Sequence, residues 1–458
     1  MDPKKMNRRG FLTMTAVLGA GAALAACAPK EAAPAEEKEA APAKPEEEAK
    51  PAPKEAEEIH FLCRPDIKPA YAATEAVETW NENFESQVSL DEPPSGTPVD
   101  IKIQASQAAG DLIWDGYYVM VMPHDTVNWV SRELIQPFDP FIEASTIPDA
   151  DKVIPSVIPS IKESVSYEGK VWGMPGNVGS IGLAWAWEPL RAIGLDGQPY
   201  TWQGVYEAAK EIKKAKPDLV PMGFACTPLC DLWSMIWSAQ DDPIDENGIY
   251  DIRGEASIAA LKWMRQMVEE DLLYTTPNTG LDQWLKGGWA MICSYDVAGT
   301  MAQQTFGMDK YESGINFFPE SKDETHAGSP FWINCGVVLN KANNPQGFTD
   351  FCLWWFGPDN KATGKQITEV AAKPCYTYTY EDFVEDNPQQ AWQKEAIDLC
   401  AKSVPFPKGT THSIQGGQGG PHVQKVYDTS LDFAPEKWMD EAYQDIQDEI
   451  AKQKSEQK

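Results

Sequence analysis

Residues 28–58 read APKEAAPAEEKEAAPAKPEEEAKPAPKEAEE, with no apolar side chain beyond alanine and proline. Such a stretch has almost nothing to bury, so it cannot offset the conformational entropy that ordering it would cost. Its prolines and glutamates favour an extended chain, and it is expected to act as a tether. The elements of the fold must therefore come from residues 59–458, which is length enough for two ordinary domains. The charge is lopsided. Of the net −30, residues 28–58 carry only −5 and residues 1–27 carry +3, leaving −28 on the part that folds. A surface this acidic repels phosphate backbones and argues against nucleic acid as a partner. It suits a cationic ligand and, equally, a saline habitat.

The first 27 residues read as a leader. Lys4, Lys5, Arg8 and Arg9 precede FLTMTAVLGAGAALAA (11–26), the basic and apolar regions of an export signal. That apolar run is short and rich in Gly and Ala, unlike a membrane span. NRRGFLT (7–13) resembles the twin-arginine signal of proteins exported already folded. Leu24-Ala25-Ala26-Cys27 resembles the bacterial lipobox, which implies cleavage before Cys27 and acylation of its thiol. The alternative is a plain signal peptide with an incidental cysteine. The expected location is the outer face of the cell membrane, at the cell surface or in a periplasm, with lipid as the only anchor. Nine cysteines less Cys27 leave eight, an even number that permits disulfides in an exported chain. Cys226 and Cys230, in CTPLC, are the candidate local pair. Most of the others lie in apolar runs, where a buried thiol is the ordinary reading. Neither CxxC nor zinc-like Cys/His spacing occurs, so no metal and no cofactor are expected.

Hydrophobic periodicity outlines an α/β chain. IHFLC (59–63) reads as a strand, and Val77, Trp80, Phe84 and Val88 follow at helical spacing. VDIKIQAS (99–106) alternates as a strand, and GYYVMVMP (116–123) is a buried-type strand. TVNWVSRELIQPF is a helix running into a loop. The first hundred ordered residues thus read βαββα or βαβα, a lobe with a mainly parallel sheet. Further on, a strand is expected over 181–187, then a helix over 201–215 with Thr201 as N-cap. DLWSMIWSAQ and 256–273 read as helices, and WAMICSYD, GINFFPE and WINCGVVLN (332–340) as strands. GFTDFCLWWFG reads as a buried helix, GGQGG (416–420) as a flexible loop, and about 435–455 as a polar amphipathic helix.

Catalytic signatures are mostly absent, and nothing in the sequence argues for an enzyme. The five histidines are scattered, GNVGSIG is neither a dinucleotide fingerprint nor a nucleophile elbow, and GGQGG lacks the Lys-Ser/Thr of a phosphate loop. The carboxylates are too numerous for a catalytic pair to stand out.

YEGKVWGMPGNVGSIGLAWAWEPLRAIGLDGQPYTWQGVYEAAKEI (167–212) resembles a segment of the extracellular solute-binding proteins of ABC importers, of the maltose- and sugar-binding type. Tyr167, Gly169, Lys170, Trp172, Gly173, Pro175, Gly194, Leu195, Thr201 and Trp202 carry that resemblance. YYVMVMPHDTVNWVSRELIQPFDPFI, WLKGGWAMICSYDVAGT and NPQGFTDFCLWWFGPDNKATGKQ are similar to other family segments, in the same order. Trp187-Glu188-Pro189, Tyr295-Asp296 and the cysteine content depart from the usual pattern.

The resemblance implies a type II periplasmic-binding-protein fold, with two discontinuous α/β lobes joined by a hinge. The lobes would be 59–168 plus 318–372, and 169–317 plus 373–458. Ligand would bind in the cleft, the lobes would close on it, and a membrane permease would recognise the closed form. The expected function is therefore a non-catalytic substrate-binding lipoprotein, monomeric, that passes a carbohydrate to ABC permease subunits. A cationic or zwitterionic solute such as a polyamine or betaine is the alternative, bound by acidic side chains and aromatic rings. An exported glycoside hydrolase and a ligand-presenting sensor are the readings from other classes.

Aromatic rings cover the CH faces of a sugar and polar side chains satisfy its hydroxyls. The candidate contacts lie at loop positions that face the cleft in the family. They are Arg64, His124, Asp125, Trp332 and Asn334 from the first lobe, and Asp231, Trp233, Tyr295, Asp296 and His422 from the second. Trp129 and Trp237 read as core, Trp172, Trp185 and Trp202 as core or hinge, and Asp231 could simply cap its helix.

Overall fold

A computed structural model describes residues 58–64, 73–93, 99–123, 126–225, 228–239, 244–245, 249–275, 280–295, 297–307, 309–321, 328–329, 331–370, 373–385 and 412–456. Cys27, Cys226, His124, Asp125 and Asp296 lie outside these residues, and with Cys226 so does the expected Cys226–Cys230 pair.

The chain opens as strand β1 (Glu58–Cys63), helix α1 (Ala73–Asn83), β2 (Gln87–Asp91), α2 (Val99–Ala109), β3 (Gly116–Met122), α3 (Thr126–Ser131) and β4 (Ile135–Gln136). β1 pairs in parallel with both β2 and β3. Helix α1 buries Ala73, Ala76 and Trp80 at helical spacing, and Trp80 stacks on Phe84 with ring centroids 3.8 Å apart. Residues 99–106, expected as a strand, are helical instead. The alternation of Val99, Ile101 and Ile103 is too brief to decide between the two periods. In the helix Ile103 and Gln107, four apart, are buried, while Ile101 is 60 % exposed.

A long strand, β5 (Met174–Ala186), follows, with all thirteen of its residues buried. It reaches seven residues further upstream than the strand expected from Ile181. Beyond it come α4 (Trp202–Ala215), β6 (Val220–Phe224), α5 (Pro228–Ala239), α6 (Glu255–Glu269), β7 (Leu273–Thr275), β8 (Trp289–Tyr295), α7 (Val297–Phe306) and β9 (Tyr311–Ser313). Thr201 does cap α4, its hydroxyl accepting from Gly204 N at 2.9 Å. GINFFPE (314–320) is not a strand. Gly314 N donates to Leu183 O at 2.9 Å, Leu183 N to Ile315 O at 3.2 Å, Phe318 bridges to Thr201, and Asn316 turns its fully buried side chain onto backbone carbonyls.

The last part holds β10 (Phe331–Leu339), α8 (Pro345–Trp355), α9 (Lys361–Val370), β11 (Lys373–Pro374), α10 (Thr377–Phe383), α11 (His412–Gln424) and α12 (Pro435–Glu456). The glycine run 416–420, expected as a flexible loop, lies inside α11. Glycine is a poor helix former, but here packing overrides propensity. A Cβ on Gly419 would stand 3.0 Å from Leu229 of α5 and 3.4 Å from Ile446 of α12, so the bare backbone is what lets α11 nest between them.

Eleven of the strands form one sheet whose main path is β2-β1-β3-β10-β5-β8-β6-β7. β5 is its spine. Residues 174–180 pair antiparallel with β10, and residues 181–185 pair antiparallel with β8. Among the described residues the two largest hydrophobic cores lie on either side of that exchange. One draws on residues 59–178 and 331–376, the other on residues 181–317 and 423–446. Val171, Val178, Cys375 and Tyr376 pack in the first core, although the expected lobe boundaries set them with the second. Trp129 and Trp172 are buried in the first core, and Trp185, Trp202 and Trp237 in the second. Among the described residues no helix is long and apolar enough to cross a membrane.

Candidate functional site

The register of the sheet shows where a site can form. β3 runs antiparallel to β10 and ends with Met122 opposite Ile333, which in turn pairs with Val178 of β5. β1 lies parallel beside β3, so its C-terminal end, Cys63 and Arg64, points the same way. From the other half, β8 ends with Tyr295 opposite Ile181 of β5, and β6 lies parallel beside it with Phe224 next to Cys293. The carboxyl ends of both half-sheets therefore converge on residues 178–181 of one strand. Ligands of open α/β sheets bind outside the carboxyl ends of strands, where loops leave in opposite directions.

Polar side chains gather at this crossing. Asn334 Nδ2 donates to Asn177 Oδ1 at 2.9 Å, joining β10 to β5. Lys373, fully buried on β11, donates from Nζ to Ser180 Oγ at 2.9 Å. Trp332 sits across from Gly179, so close that a Cβ there would lie 2.4 Å from its indole. The backbone N–H of Arg64 donates to Tyr118 O at 3.0 Å, and its side chain is half-buried.

On the second half-sheet, Asp231 and Trp233 lie near the start of α5, which follows β6. Asp231 is 2 % exposed and Trp233 is 1 % exposed. Trp233 stacks on Tyr250 with centroids 4.2 Å apart, and burial pushes the Tyr250 hydroxyl well up from its usual range. Tyr250 is itself held by Gln415 of α11, whose Oε1 accepts from Tyr250 N at 2.9 Å. Asn316 ties the region together, donating from Nδ2 to Ser234 O at 2.8 Å and Gly328 O at 2.7 Å.

Of the sequence-predicted residues, the structure brings Trp332, Asn334, the backbone of Tyr295 and the start of the loop at Arg64 to the strand ends. Asp231 and Trp233 lie in the first two turns of α5, both buried, with Trp233 packed in the second core. His422 goes elsewhere: it lies in α11, facing α12. There its Nδ1 lies 3.2 Å from Lys425 Nζ and 3.6 Å from Glu441 Oε2, and its Nε2 lies 2.8 Å from Asp445 Oδ2. The correction has the same cause as that of the glycine run, since residues taken for a loop are a packed helix.

Sequence reading missed Asn177, Ser180, Lys373 and Gln415. In the sequence GNVGS reads only as a failed motif, and nothing around Lys373 marks it. Three thiols, Cys335, Cys352 and Cys375, are buried and free, and burial pushes each well above the usual thiol range, so none is a ready nucleophile. Among the described residues no group of three His, Cys, Asp or Glu side chains could hold a metal ion. A separate recess of about 370 Å³, counting space open to solvent, is walled by Trp355, Phe356, Tyr376 and Tyr378 on the first core alone.

Two half-sheets with separate cores, joined by a shared strand and presenting their carboxyl ends to one polar crossing, define the two-lobed architecture of periplasmic binding proteins. The sequence profile of the bacterial extracellular solute-binding proteins matches residues 65–362, and the chain belongs to that family. Its fold is similar to that of an ABC substrate-binding protein from Listeria monocytogenes in complex with cycloalternan (TM-score 0.71, 15 % identity, 86 % of this chain and 99 % of that one). It is also similar to maltose-bound MalE3 of T. maritima (TM-score 0.67, 15 % identity, 86 % and 99 %). A third similar structure is UgpB from Mycobacterium tuberculosis in complex with glycerophosphocholine (TM-score 0.71, 13 % identity, 87 % and 99 %). No curated protein sequence matches the chain significantly.

Proposed function

We propose that this chain is the solute-capturing component of an ABC importer, that its ligand is a carbohydrate, and that it acts without catalysis. The observation that carries this reading is the convergence of both half-sheets' carboxyl ends on residues 178–181 of β5. A solute seated there touches both lobes, so its binding energy favours their closure. Closure removes the solute from water, and each solute hydroxyl must then find a partner. Asp231 supplies a carboxylate acceptor, Asn334 an amide, and Arg64 a fork of donors. Trp332 offers a ring face for CH surfaces, and Tyr295 belongs to the proposal through its place at the end of β8, while Trp233 is stacked on Tyr250 in the second core. His124, Asp125 and Asp296 belong to the same proposal through their places directly after β3 and β8. The saccharide complexes of two structurally similar proteins support the choice of ligand. The buried carboxylate of Asp231, together with the glycerophosphocholine complex of the third, favours a zwitterionic solute as the second reading.

The chain is further proposed to be exported, acylated at Cys27, and held near its permease by the 28–58 tether. A thermal-shift screen over saccharides, polyamines, betaines and glycerophosphodiesters tests the central claim. A true ligand at a hundred times its Kd should stabilise the protein by about 2.7 kcal/mol. A quaternary amine as the best ligand would refute the carbohydrate assignment. Release of product from a glycoside panel would refute binding without catalysis. Mass spectrometry of membrane-extracted protein should show a diacylglyceryl group on Cys27.

A further inference from the structure

β5 changes partners between Ser180 and Ile181, from β10 to β8. The two residues just before the change are gripped from opposite faces of the sheet. Consecutive strand residues point to opposite faces. On one face Gly179 lies directly across from Trp332, whose indole presses on the bare backbone. On the other face Ser180 accepts from Lys373 Nζ at 2.9 Å, and Lys373 itself is paired with Val178 through β11. Both gripping side chains belong to the half of the sheet that carries the first core.

Trp332 has a further peculiarity. Its neighbours Phe331 and Ile333 are members of the first core, yet its own ring packs against the second. The β10 register slips against β5 between Asn334 and Cys335, and against β3 between Cys335 and Gly336. Such irregularities re-aim neighbouring side chains. Moving one core relative to the other must therefore slide or peel the Trp332 ring, which is anchored by chain to one core and by packing to the other.

We propose that Trp332 and Lys373 form a two-faced clamp on Gly179–Ser180 that fixes the pivot of lobe motion and sets how readily the lobes separate. The clamp acts through the backbone of β5, so Trp332 and Lys373 are positioning residues for closure, whatever the solute. Gly179 is the position where only a hydrogen fits beneath the ring. The proposal rests on capture by lobe closure, but its test uses no solute, so the two readings fail separately.

The test compares wild type with Ser180→Ala and Trp332→Leu, as solute-free full-length protein, by amide hydrogen exchange and small-angle X-ray scattering. Losing one clamp contact should speed exchange of the 178–182 amides about tenfold, the effect of one net hydrogen bond. Amides within α4, deep in the second lobe, should keep their wild-type rates, and the scattering should show a larger radius of gyration. Ser180→Ala deletes a single hydroxyl oxygen, so it carries the test even if Trp332→Leu fails to fold. Unchanged exchange at 178–182 in Ser180→Ala overturns the proposal. So does an equal acceleration in α4, which would show general loosening instead of a pivot.

Discussion

Asn316 provides the sharpest test of how the second lobe is held in shape. Its side chain is fully buried, and its Nδ2 donates to Ser234 O at 2.8 Å and to Gly328 O at 2.7 Å. One bond reaches the helix that carries Asp231 and Trp233; the other reaches the segment leading toward β10. Asn316→Ala removes both donors and leaves a small void. Two net hydrogen bonds, with a part of the cost of stranding buried carbonyls, amount to about 2–4 kcal/mol. Asn316→Asp conserves shape, but turns a carboxylate oxygen toward two carbonyl oxygens in a dry site. It should therefore destabilise more than alanine does, the reverse of the order expected from side-chain similarity. Equilibrium urea unfolding followed by tryptophan fluorescence measures both. A loss below about 1 kcal/mol for alanine, or aspartate milder than alanine, would refute the reasoning.

Other outcomes follow from the packing and the ionisable groups. Gly223→Ala would place a Cβ 1.9 Å from the Trp289 ring, and overpacking of this kind costs about 1–3 kcal/mol, readable as a lowered urea midpoint. Thr201→Ala loses the α4 cap and should cost about 1 kcal/mol, with Thr201→Ser restoring most of it. Burial raises the Asp350 carboxyl, against the opposing pull of hydrogen bonds from Ser145 and Gln346. The folded state therefore holds that proton to higher pH than the unfolded chain. Its contribution to stability is present at acid pH and falls as pH rises from the ordinary carboxylate value through the raised one. Asp350→Asn should flatten that part of the stability–pH curve. Cys335, Cys352 and Cys375 should resist a thiol reagent in the native protein and react once it is denatured.

Much of the fold could be read from periodicity and order. The Thr201 cap, the buried helix over Pro345–Trp355 and the amphipathic helix over Pro435–Glu456 each carry their signal within their own residues. The misreadings share a cause. Residues 99–106 and the glycine run 416–420 are settled by what packs on them, which no local window contains. At the site, the strand ends were legible because they follow from element order. The Asn177–Asn334 pair and the Lys373–Ser180 bond join residues 157 and 193 positions apart, and they exist only because β5 lies between β10 and β11. Trp332 and Asn334 read in the sequence only as candidate ligand contacts, whereas the register sets Trp332 across from Gly179 and joins Asn334 to Asn177.

Three of the cysteines in the first core, Cys335, Cys352 and Cys375, bear on the proposed route of export. Cys335 lies in β10, Cys352 in α8 and Cys375 in the bend just after β11, so nothing shields them until those parts have assembled. A chain that met an oxidising compartment while unfolded would offer all three for wrong pairing. A chain already folded would present none of them. The proposed twin-arginine-like export, in which folding comes first, would make the core itself the protecting group for its own cysteines.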